Sequence, residues 1–312
     1  MPNSVSRVCR IGIALQVGLL LASAPGFAQV ALDKQQQKCV NGLNAAGAKV
    51  NRTQNRESQR CWKLFQKGQE TSAESCWLSD PRQKVMRAAE KVIDTDQRLC
   101  GSVSTPPFAY TSAVVVVTAG REQALLFLDD LYGSVPDVPA AQGISNPEVG
   151  RCQQEGIKRG HQLEEAVLKA ANGAKKRYLK GNQQVPPATD GVTLAGMITS
   201  SVLSDTKLQK RREKLEDKVE ARCGGLAPST LLLAFPGCGA TSASALGICV
   251  ANAARCRGCH KLGQMDQLPL DCDLLDDFAT NGSCFGGPGP TSTPGFTPGP
   301  KPTVGPTPTP GP

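Results

Sequence analysis

The sequence predicts an all-α protein: two disulfide-closed helical-hairpin repeats, a small cysteine-rich C-terminal domain and a disordered Pro/Gly/Thr tail. Three observations lead there. Twelve cysteines remain once an expected leader is removed, a self-comparison finds two divergent copies of one segment, and apolar residues recur at helical spacing.

Residues 1–28 read as a signal peptide. Arg7 and Arg10 give a positive start, Ile11 to Leu21 an apolar stretch, and Gly26-Phe27-Ala28 a small-residue cleavage site that leaves Gln29 first. The other site, Ala22-Ser23-Ala24, is followed at once by Pro25, a poor residue there. The apolar stretch is short of the roughly 20 residues that span a bilayer, so a cleaved leader is expected rather than an anchor. Cys9 precedes the apolar stretch, which gives a lipoprotein reading no support. It leaves with the leader and takes thirteen cysteines to an even twelve. An even count in an exported chain reads as a disulfide framework, placing the mature protein in the periplasm, on the outer surface or outside the cell. Only eight Phe, three Tyr and two Trp are present. Aromatics bury the most area per residue, so cross-links compensate for a core poor in them.

The first repeat is drawn at 31–135 and the second at 145–224. Lys38-Cys39 and Arg151-Cys152 open them; Gly47 and Gly160, then Gly68 and Gly181, follow at equal distances. Lys63 and Lys67 match Lys176 and Lys180 on the same register, and each copy stops on a cysteine, Cys100 or Cys223. Cys39, Leu43, Ala46 and Val50 form a helical stripe that Cys61, Leu64 and Phe65 continue. A second arm is expected to start at a Ser79 or Asp80 cap with Pro81 at the first helical position, its stripe being Val85, Ala89, Val92, Ile93 and Leu99. Leu208, Leu215 and Val219 do the same in the second copy, after Ser204-Asp205. Between the copies, Val114 to Val117 carry strand propensity, but a lone strand has no partner. Ala124 to Leu131 reads as helix ending at Gly133, so the segment is taken as helical.

Divergence between the copies constrains the cross-links. The first has Cys39, Cys61, Cys76 and Cys100, whereas the second keeps only the outer pair; Ala174 stands where Cys61 aligns. Two partners lost together imply Cys61–Cys76, which leaves Cys39–Cys100 and Cys152–Cys223. Bridging between copies, for example Cys39 to Cys152, is the competing arrangement.

Cys238, Cys249, Cys256, Cys259, Cys272 and Cys284 fall in the cysteine-rich domain, drawn at 228–287, and their pairing stays open. Thr241 or Ser242 can cap a helix through Leu246, Cys249, Val250, Ala253 and Cys256. Cys256-Arg257-Gly258-Cys259-His260 has the spacing that attaches c-type haem, so a periplasmic haem electron carrier is the alternative function. Against it, Met265 lies too close to His260 to reach the opposite haem face, and little apolar chain follows. Zinc on Cys256, Cys259, His260 and Cys249 or Cys272 is disfavoured where thiols pair first. The acidic run Asp271 to Asp277 lacks the spacing of a calcium-binding loop and reads as a helix start. No catalytic, metal or cofactor site is therefore expected. Residues 288–312 form the extended tail.

The mature chain carries +6, from thirty-three basic and twenty-seven acidic residues. Residues 151–223 hold fifteen basic against nine acidic, and 29–70 eight against three. Export argues against nucleic acid, and the expected partners are an acidic envelope polymer or another exported protein. With two histidines and no Gly-x-Ser-x-Gly, a hydrolase is not supported. Lys38-Cys39, Cys256-Arg257-Gly258-Cys259, Asp271-Cys272-Asp273 and the Thr291–Pro312 tail resemble a loose group of uncharacterised exported bacterial proteins with cysteine-rich helical repeats. The resemblance implies export and a disulfide framework. It also implies that a histidine at position 260 is not required in the group, and it carries no activity. The expectation is an exported, disulfide-stabilised structural or binding protein.

Overall fold

The computed structural model describes residues 30–284, and all regular structure within them is helical. The expected signal peptide and tail lie outside these residues. In chain order the helices are α1 (Lys34–Gln66), α2 (Ala73–Ser79), α3 (Lys84–Leu99), α4 (Ala113–Tyr132), α5 (Asp137–Ser145) and α6 (Pro147–Lys180). They continue with α7 (Gly191–Leu203), α8 (Thr206–Cys223), α9 (Pro228–Ala234), α10 (Ala243–Asp266) and α11 (Cys272–Asp277). None of them is long and apolar enough to cross a membrane.

Local chemistry explains the starts. Asp33 accepts from the Gln35 and Gln36 amides while the Gln36 side chain accepts from the Asp33 amide, a reciprocal cap on α1. Asn146, Asp190, Asp205 and Ser242 cap α6, α7, α8 and α10, each side chain accepting from first-turn amides. Val114–Val117 fall in the first turns of α4, capped by Ser112 and fixed by burial of Val116 rather than by β propensity. The second arm starts later than the sequence predicts. Asp80 adopts the left-handed conformation after α2, Pro81 stays in the turn, and the Asp80 carboxylate takes the amides of Lys84 and Met86.

The long helices α1 and α6, of 33 and 34 residues, lie side by side and antiparallel. Asn44 meets Asn172, Arg52 meets Glu165 and Gln66 meets Gln153 along their length. α3 packs on α1 and α8 on α6, giving the order α3–α1–α6–α8. Behind this row α4 covers α1 and α3, and α10 covers α6 and α8. α4 and α10 are themselves antiparallel, with Gln123 against Gln264 and Asp130 against Arg257. The boundary at 228 separates stretches of sequence only; in space α10 shares one apolar core with α6 and α8. Gly47 and Gly160 leave room for side chains of α4: a Cβ there would fall 2.5 Å from a Val116 methyl and 2.1 Å from the Phe127 ring.

The scarce aromatics are concentrated. Trp62 stacks on Trp77 and packs 4.2 Å from Tyr132, which in turn stacks on Phe235, so one cluster joins α1, α2, α4 and the end of α9. The Tyr132 hydroxyl donates to the Gln153 carbonyl, and burial pushes its pKa well above the ordinary value.

Candidate functional site

Six bridges hold the described chain. Cys39–Cys100, Cys61–Cys76 and Cys152–Cys223 have Cα separations of 5.0, 5.6 and 5.1 Å, and these are the pairs derived from the cysteines missing in the second segment. The outer two each tie a long helix to the end of its flanking helix, α1 to α3 and α6 to α8. Closing loops of 61 and 71 residues makes each worth about 4 kcal/mol on the chain-entropy account.

The remaining pairs are Cys238–Cys249, Cys256–Cys284 and Cys259–Cys272. Three of these cysteines are on α10, which runs ten residues beyond Cys256 and carries the whole Cys256–His260 motif as helix. Attachment of haem uses both motif sulfurs as thioethers, but Cys256 and Cys259 bond two different cysteines. His260 Nε2 lies 3.3 Å from the Cys284 carbonyl oxygen and 3.4 Å from its Sγ, and burial lowers the imidazole pKa. The arrangement does not fit covalent haem. Cys256, His260 and Cys284 do converge, with ligand atoms within 4.8 Å. Their sulfurs are bridged, however, and metal ligation uses thiolates. The acidic run serves the chain itself: Asp271 caps α11, Asp273 accepts the amides of Gly282 and Cys284, and Asp276 accepts the Ser283 hydroxyl.

Three clefts indent the row of four helices, and all are cationic. The groove between α1 and α3, about 800 Å³, is lined by Lys49, Arg56, Lys84, Arg87 and Lys91, none of which forms an ion pair among the described residues. Of its three carboxylates, buried Glu57 is taken by Arg82 and Arg60, and Glu90 and Asp94 stand on α3 among the cations. The groove between α6 and α8, about 320 Å³, presents Lys210, Arg211 and Lys214 without a lining carboxylate. A third cleft of about 190 Å³ lies between α1 and α6 and is walled by Trp62, with Lys63, Lys158 and Arg222 unpaired around it. Its one carboxylate, Glu155, is bound by Arg159. The sequence pattern locates this charge on helices but not in grooves. Grooves arise only from which helices become neighbours.

Sequence reasoning missed a buried polar seam where α1, α6 and α10 meet. Lys175 bonds both oxygens of Asp266, which also accepts from Asn44. Lys261 bonds Glu164 and Asn51, and Asn55 donates to the other Glu164 oxygen. Both ion pairs are fully excluded from water. Burial pulls the Lys175 and Lys261 pKa values down and that of Asp266 up, and the partner charges and hydrogen bonds oppose these shifts. Such pairs add little net stability over apolar contacts but leave a costly charge if broken. Beside them, Gln59 meets His161 Nδ1 at 2.9 Å, and desolvation, with Lys261 nearby, lowers the His161 pKa to about 3. The only signal in the sequence is that the α1 stripe turns polar after Val50, at Asn51, Gln54, Asn55 and Ser58.

Compared with protein families, curated proteins and solved structures, the chain finds no match.

Proposed function

We propose that the protein is an exported, disulfide-held binding protein that captures an acidic ligand by electrostatics, without chemistry of its own. One observation carries this reading: three clefts on the helical row each hold more cations than carboxylates, and several of those cations have no ion-pair partner among the described residues. Surface cations on solvated helices are ordinarily interspersed with carboxylates that neutralise them locally. Here Glu57, Glu155 and Glu165 are each engaged by an arginine, no carboxylate lines the α6–α8 groove, and Glu90 and Asp94 offset only part of the charge of the α1–α3 groove. Walls of low dielectric around an excess of one sign of charge focus the field into the grooves. Six bridges and a rigid buried seam suit a scaffold that must hold this charge in place against its own repulsion, and twelve paired cysteines favour an oxidising, exported location.

The test is binding of the processed chain to a soluble acidic polymer, polygalacturonate, followed by calorimetry at several salt concentrations. Affinity is expected to fall steeply with salt as screening lengths shrink. Absence of binding at low salt, or binding insensitive to salt, would sink the reading.

A further inference from the structure

We infer that the α1–α3 and α6–α8 grooves are two halves of one bivalent site for a linear polyanion bearing carboxylate or phosphate on successive units. This rests on the electrostatic reading above and adds to it the ligand's shape. Two relations support it.

The first is positional. Arg87 and Lys91 line one groove, and Lys210 and Lys214 line the other. Counted back from the cysteine that closes each segment, Cys100 or Cys223, both pairs stand thirteen and nine residues away. On the long helices, Lys49 and Gln162 each lie ten residues after the opening cysteine and each lines its groove. The two segments therefore place matching positions in matching grooves.

The second is geometric. Arg52 and Glu165 both lie thirteen residues after their opening cysteine, and they bond each other at 3.1 Å. Matching positions in antiparallel helices can meet only where a local two-fold axis passes between them. The bonded side chains are partly exposed, at 48% and 29%, so the axis emerges at the outer surface of the helical row. A two-fold axis emerging there relates the grooves on the same face, one on each side of it. With neighbouring helices about 8–10 Å apart, the groove centres stand two helix spacings apart, about 16–20 Å. A linear polyanion longer than this reaches both, and its second contact becomes intramolecular. Such linkage raises affinity on the order of 10²–10⁴-fold without new contacts.

Calorimetry would compare a digalacturonate, too short to span, with polygalacturonate; inorganic polyphosphate would run in parallel to distinguish phosphate from carboxylate. The short acid is expected to bind two sites weakly and the long polymer at least about 100-fold more tightly per chain. Arg87→Glu/Lys91→Glu removes one groove and Lys210→Glu/Lys214→Glu the other. Either variant is expected to bring the polymer's affinity to that of one groove and the short acid's sites from two to one. Lys34→Glu/Lys38→Glu changes net charge equally at exposed positions outside both grooves and is expected to keep the polymer within about 3-fold. All six positions are exposed, and circular dichroism with intact disulfide mass verifies the fold. Equal loss in the Lys34/Lys38 control, or a polymer affinity unmoved by either groove variant, overturns the bivalent site while general capture of acidic polymers survives. If the unaltered chain binds none of the probes, both readings fall.

Discussion

The connections that follow the two long helices are built from opposite materials. After α1 the chain turns back through residues 67–83, and α2 is stapled to α1 by Cys61–Cys76, with Trp77 laid on Trp62. After α6 the corresponding connection has no cysteine. It holds α7, which buries Leu194, Ile198 and Val202 against the core. A bridge over a separation of 15 residues is worth about 3 kcal/mol. Three fully buried aliphatic chains contribute roughly 1.5–3 kcal/mol each, as an upper estimate. A cross-link and an apolar helix are thus interchangeable ways of closing the same kind of hairpin. Losing the inner pair is tolerable where a 13-residue helix has enough apolar surface to take its place.

The largest expected effect tests this exchange. Leu194→Ala/Ile198→Ala should destabilise by about 4–10 kcal/mol, since each buried truncation costs roughly 2–5 kcal/mol. Cys61→Ser/Cys76→Ser should cost about 3 kcal/mol. Urea midpoints under oxidising conditions measure both, and a bridge deletion costlier than the double truncation would break the comparison.

A second, smaller effect lies where the halves meet. His161 on α6 is buried neutral against Gln59 of α1, with its pKa lowered to about 3. Its unfolded value is about 6.5. The stability it contributes is thus fully present above pH 6.5 and is lost as pH falls from there toward 3, because only the unfolded chain takes up the proton. At pH 5 the loss is about 2 kcal/mol. His161→Leu should remove this slope, so the difference in urea midpoint between pH 7 and 5 shrinks relative to the parent chain; an unchanged slope refutes the assignment.

The smallest effect sharpens the contrast at the two glycines that end the long helices. Gly68 has φ +68° and Gly181 φ +64°, a region costly for other residues. A Cβ at Gly68 meets nothing, whereas one at Gly181 falls 2.6 Å from the Pro187 nitrogen. Gly68→Ala should cost about 1 kcal/mol, and Gly181→Ala measurably more in the same urea experiment. Equal costs would show that the second connection yields as freely as the first.

Much of the fold was legible because periodicity and cysteine position are local signals. The Leu43–Val50 stripe, the Ser242 cap and the Gly133 stop each act within a turn or two. Lys175 and Lys261 were not legible. Each is a lysine among helical neighbours like any solvated one, and only the partners Asp266 and Glu164, brought from 91 and 97 residues away, make it a core residue. The cationic clefts lay between these cases: Arg87, Lys91, Lys210 and Lys214 were visible as charge, but not as lining.

Residue order alone carried the main helical stripes and the three bridges of the two repeats, which follow from spacing along the chain, and composition carried the excess of positive charge. Only the tertiary structure decided that α10 joins the core of α6 and α8, that Cys256 and Cys259 go to separate partners, and that the cations face each other across grooves. Those outcomes depend on which helices become neighbours, and neighbours are chosen by the packing of whole faces rather than by any local pattern.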